Sequence, residues 1–299
     1  MLTSALIDAL ETSARQSLGT AFHAETVEPV GGGDINTAIR LHGAQSSVFA
    51  KLRDAADLPM FEAEAESLQA LAQCPAIRVP QVIGHGVAEG QAYLLLEWLD
   101  IQPLHETATA ARAGEALAEL HQCTRPTYGW AHDNFIGSNP QHNFESTNWA
   151  GFFITARLQP QFEMAAARGF GSGLKQHAEA IYAKLPALFL EYRPEASLLH
   201  GDLWSGNLGC LPDGSPVLFD PACYYGDRET DLAMTELFGG LPLAFYATYR
   251  KSLPLHADYE RRKPVYNLYH ILNHLNLFGR SYLGQAERLA AQLAKGLGH

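Results

Sequence analysis

Two short segments constrain this 299-residue chain more than anything else in it: Leu198-Leu199-His200-Gly201-Asp202-Leu203-Trp204-Ser205-Gly206-Asn207 and Pro216-Val217-Leu218-Phe219-Asp220-Pro221-Ala222. Each sets a carboxylate after an apolar run, with polar groups at fixed offsets. Asp202 and Asn207 have the D-x-x-x-x-N spacing of a phosphoryl-transfer loop, and Asp220 follows thirteen residues after Asn207. That chemistry needs one carboxylate to orient the attacking hydroxyl and accept its proton, and further oxygens to hold Mg²⁺ against nucleotide phosphates. An Asp and an Asn in a turn are ordinarily turn or capping residues. Here the apolar flanks, the second carboxylate and the upstream elements coincide, which favours the chemical reading. Asp202 is the candidate base, and Asn207 and Asp220 are the candidate metal ligands. Asp-Pro-Ala stands where a kinase has Asp-Phe-Gly, so only the metal-binding carboxylate of that pattern is matched.

The upstream elements fall in the order such a site requires. Residues 26–30, 38–41 and 47–52 read as strands separated by Gly31-Gly32-Gly33 and a turn, an antiparallel meander. Lys51, at a strand end, could reach nucleotide phosphates if a carboxylate held it; alone, it would be a solvated edge residue. Of Glu62, Glu64 and Glu66 on the helix expected at 61–71, Glu64 shares the inward face with Phe61 and Leu68. The glycines could let backbone N–H groups approach phosphates, although a plain hairpin turn explains them equally well, and they are not a Walker A loop. After strands near 81–84 and 92–98, backbone groups of Glu97-Trp98-Leu99 would hydrogen-bond the adenine of ATP. His200 is expected to orient the loop rather than act as a base. Asp231 begins a helix, where it is either an N-cap or a buried carboxylate accepting loop N–H groups.

Beyond residue 100 the chain reads as mainly helical, at 109–121, 149–168, 173–192, 231–238 and in the last third. The expected fold is therefore α+β and two-lobed, of the protein-kinase-like kind. A small antiparallel sheet lobe (1–99) and a larger helical lobe (100–299) enclose the nucleotide in the cleft between them. Leu2, Leu6 and Leu10 mark an amphipathic helix at the N-terminus. A formal charge of −11 argues against a nucleic-acid partner, which needs clustered Lys and Arg. The four cysteines lack CxxC spacing and the thirteen histidines form no HExxH, so neither a zinc site nor a disulfide framework is expected. No G-x-S-x-G elbow supports a serine hydrolase. The N-terminus lacks a signal-peptide pattern and no apolar run is long enough to span a membrane, so the cytoplasm is the default.

HGDLWSGN, FDPACYYGDRETDLAM, DNFIGSNPQ and MFEAEAESL together resemble the fructosamine kinase (ketosamine-3-kinase) family, a branch of the aminoglycoside-phosphotransferase-like kinases. The resemblance runs from about residue 31 to about residue 279. It implies an ATP- and Mg²⁺-dependent kinase that phosphorylates the O3 hydroxyl of ketosamines, giving a 3-phosphate that breaks down and releases the amine. It also implies that Trp204 packs against the sugar and that Tyr224, Tyr225, Asp227, Arg228 and Glu229 border the acceptor site. The segment from Asp133 to Gln141 would line or lid the cleft. Asp34 follows the glycines where some relatives carry a cysteine, so thiol regulation at that loop is not expected. Two alternatives stay open: a kinase of the same fold acting on an aminoglycoside or choline, and a nucleotide-binding module without catalysis. Retention of Lys51, Asp202, Asn207 and Asp220 weighs against the second.

Overall fold

The computed structural model describes residues 2–19, 22–31 and 37–296; Gly32, Gly33 and Asp34 of the glycine-rich segment lie outside the described residues. The first part of the chain runs α1 (Ser4–Leu18), β1 (Ala24–Val30), β2 (Thr37–Gly43), β3 (Ser47–Asp54), α2 (Leu58–Leu71), β4 (Val82–Ala88) and β5 (Gln91–Glu97). After it come β6 (Gln102–Pro103), α3 (Thr107–Leu120), β7 (Thr124–Arg125), β8 (Asn134–Ile136), β9 (Asn139–Gln141), α4 (Trp149–Phe152), α5 (Gln159–Ala167) and α6 (Gly171–Lys184). The remainder is β10 (Ala196–Leu199), β11 (Leu208–Cys210), β12 (Pro216–Leu218), β13 (Tyr224–Gly226), α7 (Glu229–Leu237), α8 (Leu243–Ser252), α9 (Tyr259–Phe278) and α10 (Leu283–Gly296). The expected α+β architecture is what the chain adopts: an antiparallel sheet, ordered β1-β2-β3-β5-β4, followed by a mainly helical body. No helix among the described residues is long and apolar enough to cross a membrane.

Period-two alternation in β3 decides how the sheet serves the cleft. Val48, Ala50 and Leu52 point to one face, where they join Ile39, Leu41, Leu95 and the α1 residues Leu6, Leu10 and Ala14 in a closed apolar cluster. Lys51 points to the other face, toward α2. The helix α1 starts at Ser4, just after the first leucine of its spacing. Thr3 caps it by accepting the Leu6 N–H at 3.1 Å, and Leu2 is left exposed. At the β4–β5 hairpin Glu89 and Gly90 both have positive φ, 51° and 74°, the geometry of a two-residue turn that matches strand twist.

Small three-stranded sheets, β13-β10-β7 and β12-β11-β6, organise the second part of the chain. All four residues of β10 are buried, which anchors the loop that follows it. The β11–β12 hairpin then brings the chain back, pairing Leu208 with Leu218. Asp220 therefore returns beside Asn207.

Because α1 closes the back of the sheet that carries Lys51, Leu10→Ala should lower unfolding stability by about 2–5 kcal/mol. Urea or thermal denaturation measures this directly.

Candidate active site

The loop 200–207 is held from behind by a single buried carboxylate. Asp231 accepts the His200 N–H at 2.8 Å and the Gly201 N–H at 2.9 Å, and His121 Nε2 donates to it at 3.2 Å. Burial pushes the Asp231 carboxyl up, but His121 and the surrounding donors outweigh it and hold the group below its ordinary value. Asp231 is the third residue of α7, and Arg228 occupies the N-cap position, so the N-cap reading is corrected. Gly201 has φ +84° and packs so tightly that a Cβ there would lie 2.0 Å from the Ala222 carbonyl oxygen. His200 is fully buried, and burial keeps its imidazole neutral. Its Nε2 donates to the Phe219 carbonyl at 2.9 Å and its Nδ1 accepts the Asp202 N–H at 3.3 Å, so one ring ties the loop to the strand before Asp220.

This scaffold gathers charge at one point. Lys51 Nζ reaches Glu64 Oε1 at 2.6 Å and Asp220 Oδ1 at 2.5 Å. Burial alone would lower the lysine's pKa; the carboxylates of Asp220 and Glu64 reverse that and keep it cationic. Asp220 sits at φ +56°, a left-handed conformation uncommon outside glycine. Asn207 Nδ2 donates to the Asp202 carbonyl at 2.9 Å, which turns its Oδ1 away as a free oxygen ligand. The Asp202 carboxyl is pushed up to about 7 by burial and by the nearby charges of Asp220 and Asp231. Lys51, Glu64, Asp202, Trp204, Asn207 and Asp220 all line one cleft of about 700 Å³. The oxygens of Asn207 and Asp220 form the donor set a hard cation takes when nucleotide phosphates complete its shell.

The sequence profile of the fructosamine kinases matches residues 6–295. The chain belongs to the fructosamine kinase family. It is 44% identical to a probable ketoamine kinase of Synechocystis over 278 residues, 93% of each chain. The fold superposes on the crystal structure of a fructosamine-3-kinase candidate from Haemophilus somnus with a TM-score of 0.88, at 30% identity and over 95% and 96% of the two chains. An aminoglycoside phosphotransferase, 14% identical, shares the fold at a TM-score of 0.67 over 97% and 100% of the two chains. The protein is thus a phosphotransferase of the ketoamine kinase kind, with the protein-kinase-like fold.

Within the family's DPAxYxGDRE stretch the structure departs from what the resemblance implies. Asp227 is sealed behind the loop, where it accepts the hydroxyls of Tyr192 and Tyr266 at 3.0 and 2.5 Å and the Glu229 N–H at 3.0 Å. Glu229 is clamped by Arg262 at 2.7 and 2.8 Å, and Arg228 bonds the Tyr249 hydroxyl and the Leu253 carbonyl. Tyr224 is buried under Arg157, while Tyr225 stacks on Trp130 with Arg125 over its ring. None of the five lines the cleft. The physical reason is that β13 pairs with β10 and α7 starts against it, so the stretch builds the wall that carries the loop. Glu97, Trp98 and Leu99 also stand outside this cavity. Two of their amides are engaged already, Glu97 N with the Gln81 carbonyl at 2.9 Å and Trp98 N with the Ser47 carbonyl at 3.3 Å. Gly31 has open space around it and lies outside the cavity too.

Trp204 lies against Gly206 and remains 39% exposed at the cleft. Asn134, Phe135 and Gly137 of the DNFIGSNPQ segment line the same cavity. A further wall of the cleft, with no motif in the sequence to mark it, is formed by Phe238, Asn273, His274, Leu277, Phe278 and Tyr282. On α9 these residues recur at i, i+1, i+4 and i+5, one helix face, which reads as core until its partner is known. His274 is ringed by Phe238, Tyr282 and Phe278 at centroid distances of 4.5, 5.2 and 5.5 Å, and burial keeps it neutral.

Gly201→Ala must abandon both the positive φ and the contact with Ala222. A displacement of about 1 Å costs on the order of a hundredfold in rate, so kcat in a phosphoryl-transfer assay should fall at least that far in the folded variant.

Proposed function

We propose that the protein transfers the γ-phosphoryl group of ATP to the O3 hydroxyl of a ketosamine of the fructosamine or ribulosamine type. The phosphorylated product then breaks down and frees the amine. The observation that carries this reading is the convergence of Asp202, Asn207, Asp220, Lys51 and Glu64 on one cleft. Family membership supplies the acceptor class. A relative of the same fold has been solved in a ternary complex with ADP and hygromycin B, which supports a nucleotide in the cleft.

In this reading Asp202 accepts the proton of the attacking hydroxyl, and its elevated pKa suits that task. Lys51 anchors nucleotide phosphate, and Glu64 keeps its ammonium in place. Asn207 and Asp220 hold Mg²⁺, which supplies charge neutralisation on the phosphates. At the crossing after β5, the backbone of Glu97-Trp98-Leu99 meets adenine, with the Leu99 N–H as donor because its two predecessors are engaged. Trp204 packs against the sugar, and Tyr225, Asp227 and Arg228 act behind the loop as its support. The reaction belongs in the cytoplasm, where ATP is available.

The aromatic wall around His274 favours a second reading, because such a surface also takes the quaternary ammonium of choline. It does not favour an aminoglycoside: no carboxylate among the described residues stands on that wall to meet several ammonium groups. A transfer assay offering a ketosamine, an aminoglycoside and choline separates the three. The ketosamine should be the preferred acceptor, and Asp202→Asn should lower kcat by about 10²- to 10⁴-fold with nucleotide binding retained. A full rate in that variant, or preference for another acceptor, overturns the reading.

A further inference from the structure

Asn273 is only 1% exposed, yet it lines the cleft. A primary amide has an accepting end and a donating end, and the end that meets a substrate decides what the substrate must offer. In this molecule the neighbours settle the polarity, because backbone carbonyls, which only accept, anchor the chain of amides on both sides. On one side Asn276 Nδ2 donates to the Gln161 backbone carbonyl at 2.9 Å and to Gln161 Oε1 at 2.7 Å. Gln161 therefore turns its Nε2 the other way, where it donates to Asn273 Oδ1 at 3.3 Å. On the other side Asn139 Nδ2 lies 3.4 Å from the Asn273 backbone carbonyl and donates to Asn273 Oδ1 at 2.8 Å. Two donors thus converge on Oδ1. Among the described residues Asn273 Nδ2 has no partner, and it is not one of the polar atoms sealed from solvent. Its N–H groups face the cleft.

We infer that Asn273 is a specificity-determining residue whose Nδ2 donates to a second oxygen of the acceptor, beside the hydroxyl that takes the phosphoryl group. This rests on the ketosamine reading above and deepens it. The donor is neutral and fixed on both sides, so it selects a hydroxyl or carbonyl oxygen and offers nothing to an ammonium group. A sugar chain carries such an oxygen next to the reacting one; choline carries no second oxygen. The segment Asp133–Gln141 gains a task from the same geometry, since Asn139 supplies the shorter of the two bonds that orient the amide.

The test measures kcat/KM for a parent ketosamine and its monodeoxy analogues, with wild-type protein, Asn273→Ala and Asn273→Asp. The aspartate keeps an oxygen for Asn139 and Gln161 and turns the donor into a charged acceptor, so it remains informative if the alanine variant fails to fold; melting temperature and ATP KM establish folding for both. For wild type, removal of one particular hydroxyl should cost roughly tenfold, as loss of one hydrogen bond does. The alanine variant should lose a similar factor on the parent and the aspartate variant at least that factor, because its oxygen also repels the acceptor's; neither should show further loss on that one analogue, with ATP KM unchanged by the alanine. Variants that match wild type, or whose losses multiply with every deoxygenation alike, overturn the inference and leave the ketosamine reading intact. A wild-type protein inactive on every ketosamine overturns that reading, and this inference with it.

Discussion

The site depends on one buried carboxylate. Asp231 collects two backbone N–H groups from the loop and the histidine that follows α3, and so joins three separate parts of the chain. A carboxylate removed from water is costly unless donors satisfy it, and here three donors do. The same bonds fix the loop. Gly201 takes a positive φ that glycine adopts freely and presses against Ala222 with its N–H engaged, and Asp202 then emerges at a defined place.

From that point the electrostatics of the cleft follow. Asp220 and Glu64 flank Lys51, and the charges of Asp220 and Asp231 bear on Asp202. Lys51 answers Glu64 and Asp220, and burial leaves the Asp202 and Glu64 carboxyls raised. Such a cluster is poorly balanced by the protein alone and suits a site completed by a cation. The opposite wall is different in kind. It is aromatic and uncharged, with one oriented amide, so the cleft pairs a charged face with a neutral one.

What could be read in the sequence was what depends on short spacing. The Asp202–Asn207 interval lies within one loop, Glu64 follows Phe61 by three residues on one helix, and Lys51 alternates with core residues in β3; local geometry dictates all of these. Asp231 was ambiguous, because a carboxylate near a helix start serves as a cap or as a buried acceptor, and only the loop thirty residues away decides. Tyr225, Asp227 and Arg228 carry a family pattern, and a pattern does not say whether its residues touch substrate or hold up those that do. The α9 wall was illegible for the same reason. Asn273 and Asp202 are brought together by packing across about seventy residues, and a face mixing Asn, His, Leu and Phe looks like ordinary core.

If Asp231 holds the loop in its reactive geometry, steady-state kinetics of Asp231→Asn will show it. The amide keeps the shape but presents only one accepting oxygen to the two loop N–H groups. In folded variant, assayed below its melting temperature, kcat should fall by about a hundredfold or more while ATP still binds as in wild type. Phosphoryl transfer at the wild-type rate would contradict the account.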